Sequence, residues 1–204
     1  MDKVKQIFKK GIKRYGLDAF SAMALGLFSS LIIGLILSQL SRLPGLGFIK
    51  DFSDILSAQS PVVGAAIGVA VAHGLKAQPL VLFSSAATGA FGYSYMDAGP
   101  MGAFIAAVIG AEFGRLIAGK TKVDIVLVPS LTILAGGLAG KFVGPYISGF
   151  MTWLGNIINI TTTLHPIPMG ILVSSSMGML LTAPISSAAL AISMRMSGLA
   201  AGAA

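Results

Sequence analysis

The sequence contains no cysteine among its 204 residues. That absence excludes disulfide bonds, thiolate metal sites and a cysteine nucleophile, and it leaves the redox compartment undetermined. Histidine is scarce as well, because the chain has only 2 and they are far apart. No glycine-rich phosphate loop, nucleophile elbow or metal motif is present. We therefore expect no metal, no cofactor and no catalytic residue, and we do not predict an enzyme.

Charge is also in short supply. Only 10% of the residues are charged, 55% are hydrophobic and the mean hydropathy is +0.88, whereas about a quarter of the residues are charged in a typical soluble domain. The gaps between charges are long enough for membrane helices, which need roughly 20 apolar residues. Within these gaps, polar and apolar residues do not alternate as they would in the strands of a β-barrel. Charge-free stretches cover residues 19–41, 55–72, 77–96, 98–111, 125–140 and 142–194. The sequence predicts an all-α polytopic membrane protein whose partner is the lipid bilayer.

The basic residues are concentrated at the amino end. The net charge is +7, and six of the fourteen basic residues lie between Lys3 and Arg14. Apolar residues recur at helical spacing among these lysines, which is typical of an amphipathic helix on a membrane surface. We expect a cytoplasmic amphipathic helix at 1–16 and a transmembrane domain at 17–204. The excess charge then reflects membrane topology, and we predict no nucleic-acid partner.

The spacing of charges predicts about six to seven transmembrane helices. Five of them are expected near 18–40, 60–75, 79–96, 99–118 and 124–140, and the remainder within 142–194. Nine loop cations then fall inside (six before residue 15, with Lys76, Lys120 and Lys122), against three outside (Arg42, Lys50 and Lys141). Because cytoplasmic loops carry the excess of Lys and Arg, the amino terminus is expected in the cytoplasm.

One polar segment interrupts the longest charge-free stretch. Residues 156–168 read NIINITTTLHPIP, with two prolines that disfavour helix. One interpretation is an unwound or re-entrant segment near 156–168 that lines a polar cavity, because lipid cannot satisfy exposed backbone groups at membrane depth. The other is an ordinary cytoplasmic loop, with Pro168 opening the next helix.

Several phrases of the sequence carry a family resemblance. They are ALGLFSSLIIGLIL (24–37), GAAIGVAVAHGLKAQPLVLFSSAATGAFGY (64–93), GPMGAFIAAVIGAEFGRLIAGKTKVDIVLVP (99–129) and LHPIPMGILVSSSMGMLLTAPISSAALAI (164–192). They resemble the sugar-permease subunit IIC of bacterial phosphotransferase systems, in particular the branch labelled PfoR-type. The resemblance implies that residues 17–204 form a permease-like domain in a bacterial cytoplasmic (inner) membrane. Such a domain moves a small solute, a carbohydrate by analogy, which cytoplasmic partner subunits phosphorylate. Members of that branch continue past residue 204, so the chain is expected to be a fragment or a truncated copy.

The candidate substrate-binding residues are mostly polar and neutral. Hydroxyl, amide and imidazole groups can donate to and accept from sugar hydroxyls, and a histidine can also carry a proton. In the polar segment these candidates are Asn156, Asn159, Thr161, Thr162, Thr163 and His165, followed by Ser174.

Two further candidates lie outside the polar segment. Glu112 is three residues before Arg115 within an apolar stretch, where charges are costly and usually functional. Mutual neutralisation at the inner interface is the alternative for this pair. His73 is a weaker candidate at the inner turn between the second and third helices.

Two alternatives remain open at the level of the sequence. Glycines spaced four apart, as at Gly64 and Gly68 or Gly110 and Gly114, indicate either close helix packing within the chain or a homodimer face.

The alternative to a permease is a membrane-embedded regulator that binds a solute or a partner without transporting it.

Overall fold

The structure, a computed structural model, describes Gln6 and residues 11–164. These residues are helical apart from short turns, and they contain no strand. The first long helix, α1, is continuous and is built from the four consecutive segments Ile12–Ala19, Phe20–Leu27, Phe28–Ile32 and Ile33–Leu40. The first and third segments are π-helical, which widens the turns there. The expected division between residues 16 and 17 therefore does not coincide with a break in the helix.

Five further helices follow α1 in the part of the chain that is described. They are α2 (Lys50–Ile55), α3 (Pro61–Gly74), α4 (Pro79–Ser94), α5 (Gly99–Ile117) and α6 (Asp124–Leu164). Short 3₁₀ turns at Gly47–Ile49 and Tyr95–Asp97 precede α2 and α5. The chain therefore runs up and down as an antiparallel bundle with short connections.

Proline and capping side chains set where these helices begin. Pro61 and Pro79 stand in the first turns of α3 and α4, and Pro100 in that of α5. The missing N–H of proline costs nothing there, because the first N–H groups of a helix have no partner in the helix. Ser60 adds an N-cap by accepting a hydrogen bond from the Val62 N–H at 3.2 Å. The predicted starts of these three helices are confirmed to within a residue.

Close contact between helices depends on glycine. A Cβ placed on Gly89 of α4 would lie 2.7 Å from the Cα of Gly68 in α3, and one on Gly136 of α6 would lie 2.7 Å from the carbonyl oxygen of Ala106 in α5. Such distances leave no room for a side chain, so the backbones themselves are in contact. The small residues at 64–68 and 136 therefore pack helices within the chain.

The outer surface of the bundle is strongly apolar. Large hydrophobic side chains point outward along its length, among them Leu25, Phe83, Ile125 and Tyr146, which are 67%, 72%, 75% and 80% exposed. Water-soluble proteins rarely expose apolar area on this scale. Lipid is the solvent that suits this surface.

Three of the described helices are long and apolar enough to cross a bilayer: Lys13–Leu40, Gly99–Ile117 and Asp124–Trp153. The prediction of six to seven spans is thus not confirmed. Helices α3 and α4 have 14 and 16 residues, which give about 21 and 24 Å at about 1.5 Å per residue, less than the roughly 30 Å of hydrocarbon. The charge-free windows at 55–72 and 77–96 overestimate these two helices, because each window also includes residues of the flanking turns.

Helix α6 corrects two predictions. It is continuous through Lys141, where we expected a span to end, and through residues 156–164, where we expected unwound backbone. Asparagine and threonine lower helix stability by only about 0.7 kcal/mol each at most, so a polar stretch alone does not break a helix. The prolines at 166 and 168 restrict their own positions and the residue before each, which leaves residues 156–164 free to be helical. Residues 165–168 lie outside the described part of the chain.

Candidate functional site

The described basic residues that the sequence assigns to the inner side lie at one end of the bundle. The start of α1 lies beside the end of α3, since a Cβ on Gly74 would be 3.0 Å from the carbonyl oxygen of Asp18. The start of α1 also reaches the end of α5 through Arg14. We call this the basic end, and its described cations are Lys13, Arg14, Lys76, Arg115, Lys120 and Lys122.

An ion-pair cluster joins α1 to α5 at the basic end. Arg14 donates from Nη2 to Oε1 of Glu112 at 2.6 Å, and Arg115 donates from Nη1 to the same oxygen at 3.3 Å. The guanidinium carbon of Arg14 also lies 5.6 Å from the centre of the Tyr15 ring, within cation–π range. One carboxylate thus faces two guanidinium groups, so the cluster keeps a positive charge.

The Glu112 cluster combines an expected pair with an unexpected one. The Glu112–Arg115 pair is present, as its spacing of three residues indicated, but the shorter bond goes to Arg14 on another helix. The side chains are about one-third exposed, which fits an interfacial position. Sequence reasoning had treated Arg14 only as a topological charge. A charged residue inside an apolar window was the available signal that some partner existed.

His73 lines a groove at the same end of the bundle. The groove has a volume of about 740 Å³ and lies between the start of α1 and the end of α3. Its polar lining comprises Lys13, Asp18, Ser21, His73 and Lys76. Sequence reasoning had named His73 as a candidate and had missed its grouping with Lys13 and Asp18, which are about 60 positions away in the chain.

The hydroxyl groups in the core of the bundle bond mainly to their own helices. Ser85 donates to the carbonyl oxygen of Val81 at 2.8 Å, and Thr88 donates to that of Ser85 at 3.0 Å. Thr132 is fully buried, and its hydroxyl has no hydrogen-bond partner among the described residues. The hydrogen bonds of Ser85 and Thr88 to their own helix satisfy these two hydroxyl groups without requiring a solute.

The polar segment lies far from the basic end. Asn156 is 32 positions after Asp124, the first residue of α6, so about 48 Å of helix separates the two at about 1.5 Å per residue. Asn156 is exposed. The backbone is helical at Asn159, Thr161, Thr162 and Thr163, whereas His165 and Ser174 lie outside the described residues. The structure does not bring Glu112 or His73 together with Asn156.

Within residues 11–164 no group of three or more histidine and acidic side chains is arranged to hold a metal ion.

The end of α5 is tied to the start of α6 by a capping carboxylate. Asp124 accepts hydrogen bonds from the backbone N–H groups of Gly119 and Thr121, the latter at 3.0 Å, and from the Thr121 hydroxyl. This carboxylate is thus used in capping a turn.

Long apolar helices, an apolar outer surface and a polar, basic end define an α-helical integral membrane protein. Residues 17–204 match the family model described as phosphotransferase system, EIIC. The chain belongs to the phosphotransferase system EIIC family, and it is therefore a membrane transport component of permease type. No curated protein and no solved structure matches it.

Proposed function

We propose that this chain is the membrane permease component for a sugar, and that cytoplasmic phosphotransferase subunits phosphorylate the sugar as it enters the cell. The observation that carries the proposal is the family match, which covers residues 17–204. The apolar, many-helix architecture supports it, because a permease holds its solute within a bundle of membrane helices. The phosphoryl chemistry is assigned to the partner subunits, and this chain supplies binding and passage.

We assign the solute site to the polar segment and the residues that follow it. Amide, hydroxyl and imidazole groups there offer neutral donors and acceptors suited to a carbohydrate. Since residues 156–164 are helical, consecutive positions along this segment are rotated by about 100° about the helix axis. Positions 156, 159 and 163 fall on one side of an α-helix, which makes Asn156, Asn159 and Thr163 the preferred set. His165 and Ser174 complete the proposal.

A ligand screen tests this assignment. The purified chain is mixed with a panel of sugars and polyols, and its melting temperature is recorded, because a ligand that binds only the folded state raises it. At a concentration of about 100 times Kd, a sugar stabilises by about 2.7 kcal/mol. His165→Ala should abolish the shift for that sugar while leaving the melting temperature without ligand nearly unchanged.

The chain provides its own comparison, since it has only 2 histidines. His73→Ala should leave the sugar-dependent shift intact. Loss of the shift in His73→Ala, with retention in His165→Ala, would move the solute site to the basic end and overturn the assignment.

A further inference from the structure

The groove beside His73 has an amphipathic lining. Its polar end is formed by Lys13, His73 and Lys76, and its apolar side includes Leu17 and Leu25. Leu25 is twelve positions after Lys13 on α1, which places it more than two helical turns further along the helix. The two leucines are 43% and 67% exposed, on the outer surface of a helix that is long enough to span a membrane. The groove therefore leads from the basic end onto the lipid-facing side of α1.

The charges in the groove are not neutralised within the described part of the molecule. Neither Lys13 nor Lys76 makes an ion pair there, and Asp18 is the single acidic residue of the lining. Two ammonium groups and an imidazole thus face one carboxylate. The groove favours an anion of low charge, and Asp18 can accept a hydrogen bond from a hydroxyl on that anion.

Backbone geometry fixes the position of Lys76. The N–H of Ala77 donates to the carbonyl oxygen of Ala72 at 3.0 Å, and the N–H of Lys76 donates to that of His73 at 2.9 Å. These two bonds form a Schellman motif, whose left-handed position is usually glycine. Here that position is Lys76, with φ of +56°. Glycine would be less strained there, so lysine occupies this position at a conformational cost.

We propose that this groove is a binding site for an anionic membrane phospholipid. The phosphodiester lies between Lys13 and Lys76, a head-group hydroxyl is within reach of Asp18 and Ser21, and an acyl chain follows α1 past Leu17 and Leu25. Charge complementarity identifies the head group, because basic residues at a membrane interface attract anionic lipids. The apolar continuation along a membrane-facing helix favours a lipid over a soluble phosphate. The site is independent of the sugar and of the residues assigned to it.

Native mass spectrometry of the full chain tests the site. The protein is released from nanodiscs that contain phosphatidylcholine with 20% phosphatidylglycerol, and the retained lipid is counted and its apparent Kd measured by titration. Lys76→Gly and Lys13→Gln should each weaken phosphatidylglycerol binding about fivefold, since a basic residue near an anionic surface contributes about that factor. Phosphatidylcholine retention should not change.

Lys76→Gly is a useful variant because it removes the charge and relieves the left-handed backbone together. Its melting temperature should equal or exceed that of the parent chain, so weaker lipid binding cannot be attributed to misfolding. Lys120→Gln is the matched control, because Lys120 is exposed at the same end of the bundle and does not line the groove.

Three results would overturn the proposal. In the first, phosphatidylglycerol binding is the same in Lys76→Gly and Lys13→Gln as in the parent chain. In the second, Lys120→Gln weakens binding as much as they do, which would indicate a diffuse attraction by the basic end. In the third, millimolar inorganic phosphate displaces the phosphatidylglycerol, which would indicate a site for a soluble anion.

Discussion

Arg14 and Glu112 are 98 positions apart in the sequence, yet their side chains make the shorter of the two ion pairs in the Glu112 cluster. The pair connects the start of α1 to the last turns of α5. Arg115 shares the same carboxylate oxygen over a longer distance of 3.3 Å, and it lies on the same helix as Glu112. The Arg14–Glu112 pair therefore joins two helices, whereas the Arg115–Glu112 pair lies within a single helix.

A double-mutant cycle distinguishes these two roles. Arg14→Gln and Glu112→Gln should show a coupling of about 1 kcal/mol in the free energy of unfolding, the upper end for partly exposed pairs. Arg115→Gln and Glu112→Gln should couple by about 0.3 kcal/mol, as pairs three apart on one helix do. Unfolding in detergent at low salt provides the measurement. A larger coupling for Arg115 than for Arg14 would contradict the geometry.

Glycine packing gives a second prediction at the scale of the residue. Gly89→Ala places a Cβ 2.7 Å from the Cα of Gly68, and overpacking of this kind costs about 1–3 kcal/mol. We expect a clear loss of thermal stability in detergent. Gly137→Ala is the matched control, because nothing lies within 4 Å of a Cβ there and alanine favours helix by up to about 1 kcal/mol. Equal losses in both variants would show that α3 and α4 are not in close contact.

The candidate site was predictable only where its signal is local. A charge inside an apolar window identified Glu112, and its spacing indicated Arg115. The partner Arg14 and the grouping of Lys13 with His73 depend on which helices are neighbours. Local periodicity does not determine the neighbours of a helix. The role of His165 stays a prediction.

Among the helices, the sequence predicted starts better than ends. Proline fixes its own φ at a helical value and lacks an N–H that the first turn does not need, so the sequence predicts the starts of α3, α4 and α5. Lysine carries no comparable signal. Lys141 was read as a loop residue, but a long lysine side chain can reach away from a continuous helix. That misreading divided α6 into separate elements.

The continuity of α6 can be measured directly, since the chain has no native cysteine. Spin labels at Leu134→Cys and Phe150→Cys occupy exposed positions on either side of Lys141. Sixteen residues of helix separate their backbones by about 24 Å, so pulsed dipolar spectroscopy should give one narrow distance distribution near that value.

The reference pair for α6 comes from α1. Labels at Leu25→Cys and Ile36→Cys, both exposed on a continuous helix, should give a distribution of similar width. If the distance distribution across Lys141 is much broader than this reference, α6 is interrupted at Lys141, as the sequence predicts.

At the scale of the whole molecule, the two ends of the bundle differ in charge. The basic end holds most of the described cations. The opposite end holds Arg42 and Lys50 together with Asp51, Asp54 and Asp97. It is held together by contacts such as the hydrogen bond from the Tyr93 hydroxyl to the carbonyl oxygen of Ala58 at 2.7 Å. The topology predicted from loop charges places the same residues at each end as the helix packing in the structure does.

This charge asymmetry orients the protein in its membrane. Because an excess of Lys and Arg is retained on the cytoplasmic side, we expect the basic end to face the cytoplasm and α2 to face outside. Lys120→Cys and Lys50→Cys are exposed positions at the two ends, in a chain without other thiols. A membrane-impermeant maleimide added to intact cells should label position 50 and leave position 120 unlabelled until the cells are opened. The reverse labelling pattern would show that the protein has the opposite orientation in the membrane. The proposed lipid groove would then lie in the outer leaflet. Labelling of both positions in intact cells would mean that the membrane does not separate the two ends of the bundle.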